Sequence, residues 1–275
     1  MSHASQGWFS PTCVKLLQEA HAAWAPSCLG NHQAMDRVQE TMRVNSSGTF
    51  VWYIRNQKVA SHVVIDLLRK EFGHKPGGSP MFMIPYRLQS RDHPFPARWT
   101  KGLASYVFTL VRDPLKAAHS AYLEVSRRNP SPNATASYRS MPCSSNAMGR
   151  YAAFLRAVRD HEPLGPELFH AFPQALKLSA ATHYDKIIRL ESPDEDALSL
   201  KRETGVDLLK RLRPERTRGR DWTNSLQWAG CAAPMQLSDA REEAVRLFCQ
   251  LYRVDYACGL GYDLPTACAT VLGSR

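Results

Sequence analysis

The chain of 275 residues lacks the signatures of several common protein classes. It has no run close to the roughly 20 apolar residues that a membrane-spanning helix needs, and its first residues lack the basic start and apolar core of a signal peptide. Neither G-x-x-x-x-G-K-[ST] nor G-x-G-x-x-G occurs, which excludes a standard P-loop NTPase and a Rossmann dinucleotide fingerprint. No internal repeat is present. These absences predict a soluble protein, with the cytoplasm as its location.

Cysteine is present but is not arranged for metal binding. No CxxC pair and no metal-ligand spacing occurs, so we expect no bound metal. The number is odd, and the chain is too long to need a disulfide framework, so reduced buried thiols are the first expectation. Because the last four cluster toward the C-terminus, one or two bridges are expected there if the protein lies in an oxidising lumen. The seven are Cys13, Cys28, Cys143, Cys231, Cys249, Cys258 and Cys268.

The composition combines an ample core with a basic surface. Hydrophobic residues make up 44% of the chain, the formal net charge is +10 and the pI is near 9.4. A basic balance favours anionic partners, which include nucleotides, sulfated or acidic glycans, nucleic acid and membrane surfaces. The alternative is a solvated basic surface with no specific partner.

Strand and helix patterns alternate along the chain and predict an α/β fold with a central parallel sheet flanked by helices. We expect a helical extension over 1–45 and a single domain over 46–275. The Pro- and Ser-rich stretch at about 128–147 is predicted to be a flexible loop, either on the acceptor side of a site or simply disordered. Predicted strands cover 49–54, 81–86, 106–111 and 186–190; predicted helices cover 12–24, 62–72, 114–127, 148–159 and 193–203, with a last helix from Asp239.

Two predicted strands end at a cation. The strand at 49–54 leads to a turn that contains Lys58 and opens a helix, and the strand at 106–111 leads directly to Arg112. In open α/β sheets ligands bind outside the carboxyl ends of the strands. Backbone N–H groups at a turn that opens a helix attract a phosphate, and a lysine adds a point charge. Two such strand ends predict an anionic ligand with more than one phosphate.

These turns and three later segments resemble the Golgi-type carbohydrate sulfotransferase family. The turn K-V-A-S at 58–61 resembles the family's K-V-[AG]-C-[ST], and V-R-D-P-x-x-x-x-x-S-x-Y from 111 to 122 resembles its V-R-[DE]-P-x-x-R-x-x-S-x-Y. H-A-F-P-Q from 170 resembles H-W-x-P-Q, and Y-D-K-I-I-R-L-E from 184 resembles Y-D-F-I-G-K-L-E. Y-R-V-D-Y from 252, followed by G-Y at 261, resembles the terminal Y-x-x-D-[FY]…G-Y. The five segments occur in the family's order over about 50–263.

The resemblance implies that 46–275 is a sulfotransferase domain with a P-loop-like fold that binds 3′-phosphoadenosine 5′-phosphosulfate (PAPS) without a metal. It implies transfer of the sulfonate to a hydroxyl, of a carbohydrate in the first instance, with no nucleic acid as partner. Lys58 would stabilise charge on the leaving oxygen. It also implies the Golgi lumen as the alternative location. The remaining implied PAPS contacts are Val59, Ala60, Ser61, His62, Arg112, Ser120 and Arg218.

Arg112 and Ser120 would hold the 3′-phosphate, the first through its guanidinium fork and the second through its hydroxyl. The structural alternative pairs Arg112 with Asp113 and makes Ser120 a buried hydroxyl. Arg218 lies in a basic cluster at 210–220 that would contact donor or acceptor, with a solvated loop as its alternative.

A general base must take the proton of the acceptor hydroxyl, and histidine suits neutral pH. His170 is the first candidate because it begins the H-x-x-P-Q segment. His62 is the second, and His93 and Glu124 stay open.

Two other function classes are alternatives to the sulfotransferase interpretation. A nucleotide or small-molecule kinase on a related fold predicts a Walker glycine loop, which the chain lacks. A non-catalytic polyanion binder predicts a basic face with interleaved aromatic residues rather than cations at two strand ends.

Overall fold

The computed structural model describes residues 10–29, 38–44, 50–54, 56, 63–65, 67–68, 81–84, 105–127, 147–160, 170–178, 184–210, 212 and 237–273. The chain divides into two compact units. The first contains Met1–Lys15, His32–Arg112 and Lys177–Arg220, and the second contains Leu16–Asn31, Asp113–Leu176 and Asp221–Arg275. Among the described residues, no helix combines the length and the apolar character needed to cross a membrane.

The first unit is built on a five-stranded sheet with the strand order β3-β1-β2-β4-β5. Strands β2, β4 and β5 are parallel neighbours, whereas β1 runs antiparallel to both β2 and β3. The prediction of an α/β fold is therefore confirmed, and its parallel sheet is confirmed for three strands. The strands are β1 (Val38–Val44), β2 (Phe50–Ile54), β3 (Met81–Ile84), β4 (Ser105–Val111) and β5 (Lys186–Arg189).

Strand β1 was not expected, because the sequence suggested a helical extension over 1–45. Val38, Met42 and Val44 do alternate with polar residues, which is the period of a strand, but Glu40 interrupts the alternation. Pairing with β2 on one side and β3 on the other makes β1 an interior strand. Its partner β2 follows closely, but its other partner, β3, lies well beyond β2 in the chain, so tertiary pairing overrides a weak local signal.

Side chains as well as backbone hold the parallel strands together. The Thr109 hydroxyl of β4 donates to the Ile54 carbonyl of β2 at 2.8 Å. Asp185, just before β5, accepts the Val107 N–H on a carboxylate oxygen at 2.7 Å and donates its own N–H to the Val107 carbonyl at 2.8 Å. These bonds support the register in which β4 and β5 end together and β2 ends opposite Thr109.

The core of the first unit lies against this sheet. Helical residues 63–65 and 67–68 and the helix after β5 contribute apolar side chains to it, and the rings of Tyr53 and Phe108 lie 5.2 Å apart. Burial, with a smaller effect of the Asp185 carboxylate, raises the pKa of nearby Tyr106 to about 12. The buried members are Val51, Tyr53, Val63, Val64, Ile65, Leu67, Leu68, Phe108, Leu110, Ile188, Ala197, Leu200, Val206, Leu208, Leu209 and Leu212.

Charged residues and a terminal glycine determine where the helix Asp194–Thr204 begins and ends. Its first turn holds Asp194, Glu195 and Asp196 and its last turn holds Lys201 and Arg202, charges that complement the helix dipole. It ends at Gly205, whose φ of 78° lies in the left-handed region that glycine adopts without strain. The Gly205 N–H donates to the Lys201 carbonyl at 2.8 Å and so satisfies one terminal carbonyl.

The second unit is helical. The helix that spans 242–257 contacts three other helices of this unit, and the Arg156 Nε lies 2.7 Å from a Glu243 carboxylate oxygen. Buried rings of Tyr122, Tyr151 and Phe154 lie 5.2 to 6.4 Å apart by centroid. In chain order the labelled helices are α1 (Pro11–Leu29), α2 (Pro114–Arg127), α3 (Ala147–Arg159), α4 (Gln174–Lys177), α5 (Asp194–Thr204), α6 (Glu242–Ala257) and α7 (Thr266–Gly273).

The start of α6 differs from the prediction. Leu237–Asp239 forms a short 3₁₀ turn, and the α-helix begins at Glu242 with Arg241 as its N-cap. The predicted helix start at Asp239 is therefore wrong, and the cap residue makes no side-chain hydrogen bond. Two acidic residues, Glu242 and Glu243, stabilise the first turn through the helix dipole instead.

A disulfide closes the C-terminal end of the second unit. Cys249 of α6 is bonded to Cys268 of α7, which lies 19 residues later. Cys13 and Cys258 are also disulfide-bonded. The expectation of reduced thiols is therefore wrong, and the alternative of bridges among the C-terminal cysteines is the one that the structure supports. Cysteine spacing alone gave no pairing, because the two bonded residues meet only when the helices pack.

We expect the double variant Cys249→Ala/Cys268→Ala to lose about 2–4 kcal/mol of unfolding free energy, because the bridge restricts the unfolded chain. Urea unfolding with and without a reductant measures this loss. The variant should also be less sensitive to the reductant than the wild type. Equal unfolding midpoints for the two proteins under oxidising conditions would contradict the assignment.

Candidate functional site

The strand order predicts a crevice at the carboxyl ends of β2 and β4. The chain runs from β2 to β3, which lies on the β1 side of the sheet, but it runs from β4 to β5, which lies on the opposite side. Where neighbouring parallel strands lead in opposite directions, their carboxyl ends border a crevice, and ligands of α/β sheets bind there. The two strands that the sequence singled out for their terminal cations are therefore adjacent and parallel.

Arg112 follows the last residue of β4 directly, as predicted. Its side chain is 18% exposed, and its Nε lies 3.9 Å from a carboxylate oxygen of Glu191. Glu191 follows β5, the parallel neighbour of β4, and its side chain is 26% exposed. An ion pair of this length between partly exposed groups is weak. The Arg112–Glu191 ion pair is therefore one that an anionic ligand could replace.

Asn56 lies at the same edge, two residues after β2 ends at Ile54. Its residue surface is 0% exposed, and neither its amide nitrogen nor its amide oxygen has a hydrogen-bonding partner. An unpartnered buried polar group costs about 1–3 kcal/mol, so few native proteins keep one without a reason. Ile54, the last residue of β2, pairs with Thr109 near the end of β4, so Asn56 and Arg112 follow neighbouring strand ends.

The predicted phosphate turn itself is not described. Lys58, Val59, Ala60, Ser61 and His62 lie outside the described residues, and so do Arg218, the alternative base His93 and the loop at 128–146. Their predicted roles stay predictions.

Asp113 begins helix α2 in the second unit. Its carboxylate accepts the Lys116 N–H at 3.0 Å, and its carbonyl accepts the Ala117 N–H at 2.9 Å. This is the geometry of an N-cap, and Pro114 occupies the first helical position, where its missing N–H costs nothing. Ser120 lies nearly two turns further along α2 and is 7% exposed. The R-D-P sequence thus ends a strand with a cation and starts a helix with a cap.

His170 begins a short turn that α6 holds in place within the second unit. The Tyr252 hydroxyl donates to the Ala171 carbonyl at 2.7 Å. The Asp255 carboxylate accepts two backbone N–H groups, from Gln174 at 3.0 Å and from Ala175 at 2.7 Å. Asp255 is 0% exposed, and His170 is 9% exposed. We call these three bonds the α6 latch.

The protonation state of Tyr252 supports the latch. Burial, reinforced by Tyr151 and Asp255, raises the pKa of Tyr252 well above its ordinary value of 10.0. The hydroxyl therefore keeps its proton, and the bond to Ala171 persists across the neutral range. The other open base candidate in this unit, Glu124, is buried on α2.

The α6 latch explains why two of the family-like segments occur together. H-A-F-P-Q carries the residues that are held, and Y-R-V-D-Y carries the two side chains that hold them. Neither Tyr252 nor Asp255 was predicted from the sequence to have a role. A tyrosine and an aspartate three residues apart lie on one helix face, and that spacing was the available signal.

Glu191 and Asn56 were also missed. Glu191 ends the Y-D-K-I-I-R-L-E segment, in which Asp185 anchors β5 to β4 and Lys186 lies 3.4 Å from the Asp196 carboxylate.

Among the described residues, no group of three or more His, Cys, Asp or Glu side chains could hold a metal ion. Comparisons with known protein families, curated proteins and solved structures find no match to this chain.

Proposed function

We propose that the protein is a PAPS-dependent sulfotransferase that acts on a hydroxyl, with a carbohydrate as the first class of acceptor. One observation carries the proposal: the strands that lead to Lys58 and to Arg112 are adjacent, parallel and placed where the direction of the chain switches. Ligands of α/β sheets bind at that place. The five family-like segments and the P-loop-like fold that they imply support the same conclusion.

The proposed reaction is an in-line displacement at sulfur. The acceptor oxygen forms a bond to the sulfonate sulfur while the bond from sulfur to the phosphate oxygen breaks. The electron pair leaves with the phosphate, where the Lys58 ammonium stabilises the charge. His170 receives the proton of the acceptor hydroxyl, which balances the transfer.

Arg112, the described cation at a strand end, fits a phosphorylated ligand because it offers a planar fork of donors suited to a terminal phosphate. The resemblance adds the Ser120 hydroxyl of helix α2 as a second contact. The ion pair of Arg112 with Glu191, at 3.9 Å, is weak enough for a dianionic phosphate to displace. In the proposal these residues hold the 3′-phosphate, which does not react.

Of the two locations expected from the sequence, the cytoplasm and the Golgi lumen, the disulfide favours the Golgi lumen. Structural disulfides persist in oxidising compartments and are rare in the cytosol of mesophiles. The bond between Cys249 and Cys268 therefore supports the Golgi lumen, or another part of the secretory route, over the cytoplasm. Carbohydrate acceptors are plentiful there, which agrees with the proposed substrate class.

Titration with 3′-phosphoadenosine 5′-phosphate (PAP), the product that retains both phosphates, tests the donor assignment. We expect the wild type to bind PAP below the millimolar range and Arg112→Ala to bind it about 100-fold more weakly, because one charge-assisted fork is lost. Arg112→Lys should lose about tenfold, since it keeps the charge but not the fork. Lys58→Ala should weaken binding as well.

Arg202→Ala is the matched control. Arg202 is an exposed arginine of the same unit on helix α5, and its loss should change PAP affinity by less than about twofold, because salt screens the charge of an exposed side chain. A wild type that fails to bind PAP at sub-millimolar concentration would overturn the donor assignment. Equal losses for Arg112→Ala and Arg202→Ala would instead reveal non-specific attraction to a basic surface.

A further inference from the structure

Asn56, which follows β2 at the β2–β4 crevice, has an entire polar group left unused. It is 0% exposed, and both atoms of its carboxamide lack a hydrogen-bonding partner. The buried hydroxyls of Thr109 and Thr204, in the same unit, are by contrast satisfied. Thr109 donates to Ile54, and Thr204 donates to the Leu200 carbonyl at 2.7 Å while it accepts the Val206 N–H at 3.2 Å.

A carboxamide in this position is suited to an anionic ligand. Its NH₂ group donates two hydrogen bonds, and it carries no charge whose burial would be costly in the free protein. A fixed dipole in a site shielded from water also interacts more strongly with a ligand charge than the same dipole in solvent. A carboxylate at the same position would repel the ligand.

The position of Asn56 in the fold indicates which part of the ligand it would contact. Asn56 lies two residues before Lys58 and at the end of β2, whereas Arg112 lies at the end of β4. In the proposed function Lys58 serves the phosphosulfate end and Arg112 serves the 3′-phosphate. Proximity in sequence to Lys58 therefore assigns Asn56 to the phosphosulfate end.

We propose that the Asn56 carboxamide binds the phosphosulfate end of the donor, with its NH₂ group donating to a phosphate or sulfonate oxygen. This inference rests on the proposed function and adds a neutral hydrogen-bond donor to the cationic contacts expected there. It also explains why the free protein tolerates a buried polar group without a partner. The NH₂ half of the group is satisfied only when the anion is bound.

Replacing Asn56 is expected to raise the stability of the free protein and to weaken the binding of PAP. Asn56→Leu is expected to stabilise the free protein, raising its folding equilibrium constant about tenfold, because an apolar side chain of similar size replaces two unpaired polar atoms. The same variant is expected to bind PAP at least tenfold more weakly. Asn56→Ala provides a second binding measurement in case leucine does not fit the space.

Thr204→Val is the matched control, because Thr204 is a buried polar residue of the same unit whose hydroxyl is fully used. It should lower stability and leave PAP affinity unchanged. Urea unfolding and calorimetric titration give the two readouts without any need for turnover. Wild-type PAP affinity in both Asn56 variants would overturn the inference, and so would a loss of stability in Asn56→Leu as large as that in Thr204→Val.

Pyrophosphate as a second probe separates this inference from the proposed function. If the wild type binds PAP and the Asn56 variants bind it equally well, only the inference fails. If the wild type binds pyrophosphate but not PAP, and Asn56→Leu weakens the pyrophosphate binding, the nucleotide assignment fails while the anion contact stands. If the wild type binds neither, both are overturned.

Discussion

His170→Ala is expected to lower turnover by about 10² to 10⁴-fold, the usual contribution of a general base. PAP affinity should stay within about twofold of the wild type, because in the proposed function His170 contacts the acceptor hydroxyl and not the nucleotide. The measurement is single-turnover transfer from labelled PAPS to the hydroxyl acceptor that a carbohydrate screen returns. A parallel PAP titration confirms that the variant still binds the product nucleotide.

His119→Ala is the control for this prediction. His119 lies on helix α2 of the same unit and is only partly buried, so its replacement tests the general effect of removing a histidine. Turnover should be close to that of the wild type. If His170→Ala keeps its turnover, the base is another group, and the same assay on variants of His62, His93 and Glu124 would find it.

The sequence predicted the strands and helices near the candidate site well, because their signals are local. The run at 50–54 is β-branched and aromatic, and Pro114 marks a helix start after Asp113. Parallel pairing of the strands followed from their alternation with helices. Strand β1 was missed because Glu40 breaks its alternation and because its partners, β2 and β3, follow it in the chain.

The candidate site was predicted less completely than the fold. A cation at a strand end is visible in the sequence, so Arg112 could be named in advance. Glu191 could not be paired with Arg112, because 78 intervening residues separate them and only the parallel register of β4 and β5 brings their strand ends together. Asn56 was overlooked for a different reason. Burial without a hydrogen-bonding partner is a property of the folded state.

Some of the missed features depend on helix packing. The bond between Cys249 and Cys268 requires α6 and α7 to pack against each other, and the α6 latch requires α6 to lie along the turn at 170–175. Neither contact has a local sequence signal strong enough to name both partners. The 3.6-residue period did place Tyr252 and Asp255 on one face of a helix. What that face contacts is information that only the tertiary structure holds.

Asp255→Ala is expected to lower the free energy of unfolding by about 3–5 kcal/mol. Hydrogen bonds to a charged group contribute about 1.5–3 kcal/mol each, and this carboxylate accepts two of them in a fully buried position. Removing it leaves the N–H groups of Gln174 and Ala175 without their acceptor. Thermal unfolding should shift downward by on the order of 10 °C for a protein of this size.

Asp263→Ala is the matched control, since Asp263 is exposed in the same unit, and its loss should change stability by less than about 0.5 kcal/mol. Tyr252→Phe removes only the bond to the Ala171 carbonyl and should cost about 1 kcal/mol. Because both side chains hold the turn that begins with His170, Tyr252→Phe should also lower turnover more than it lowers PAP affinity. Unfolding midpoints for Asp255→Ala that match those of Asp263→Ala would contradict the latch. If Tyr252→Phe keeps full turnover, the α6 latch stabilises the fold but does not position the base.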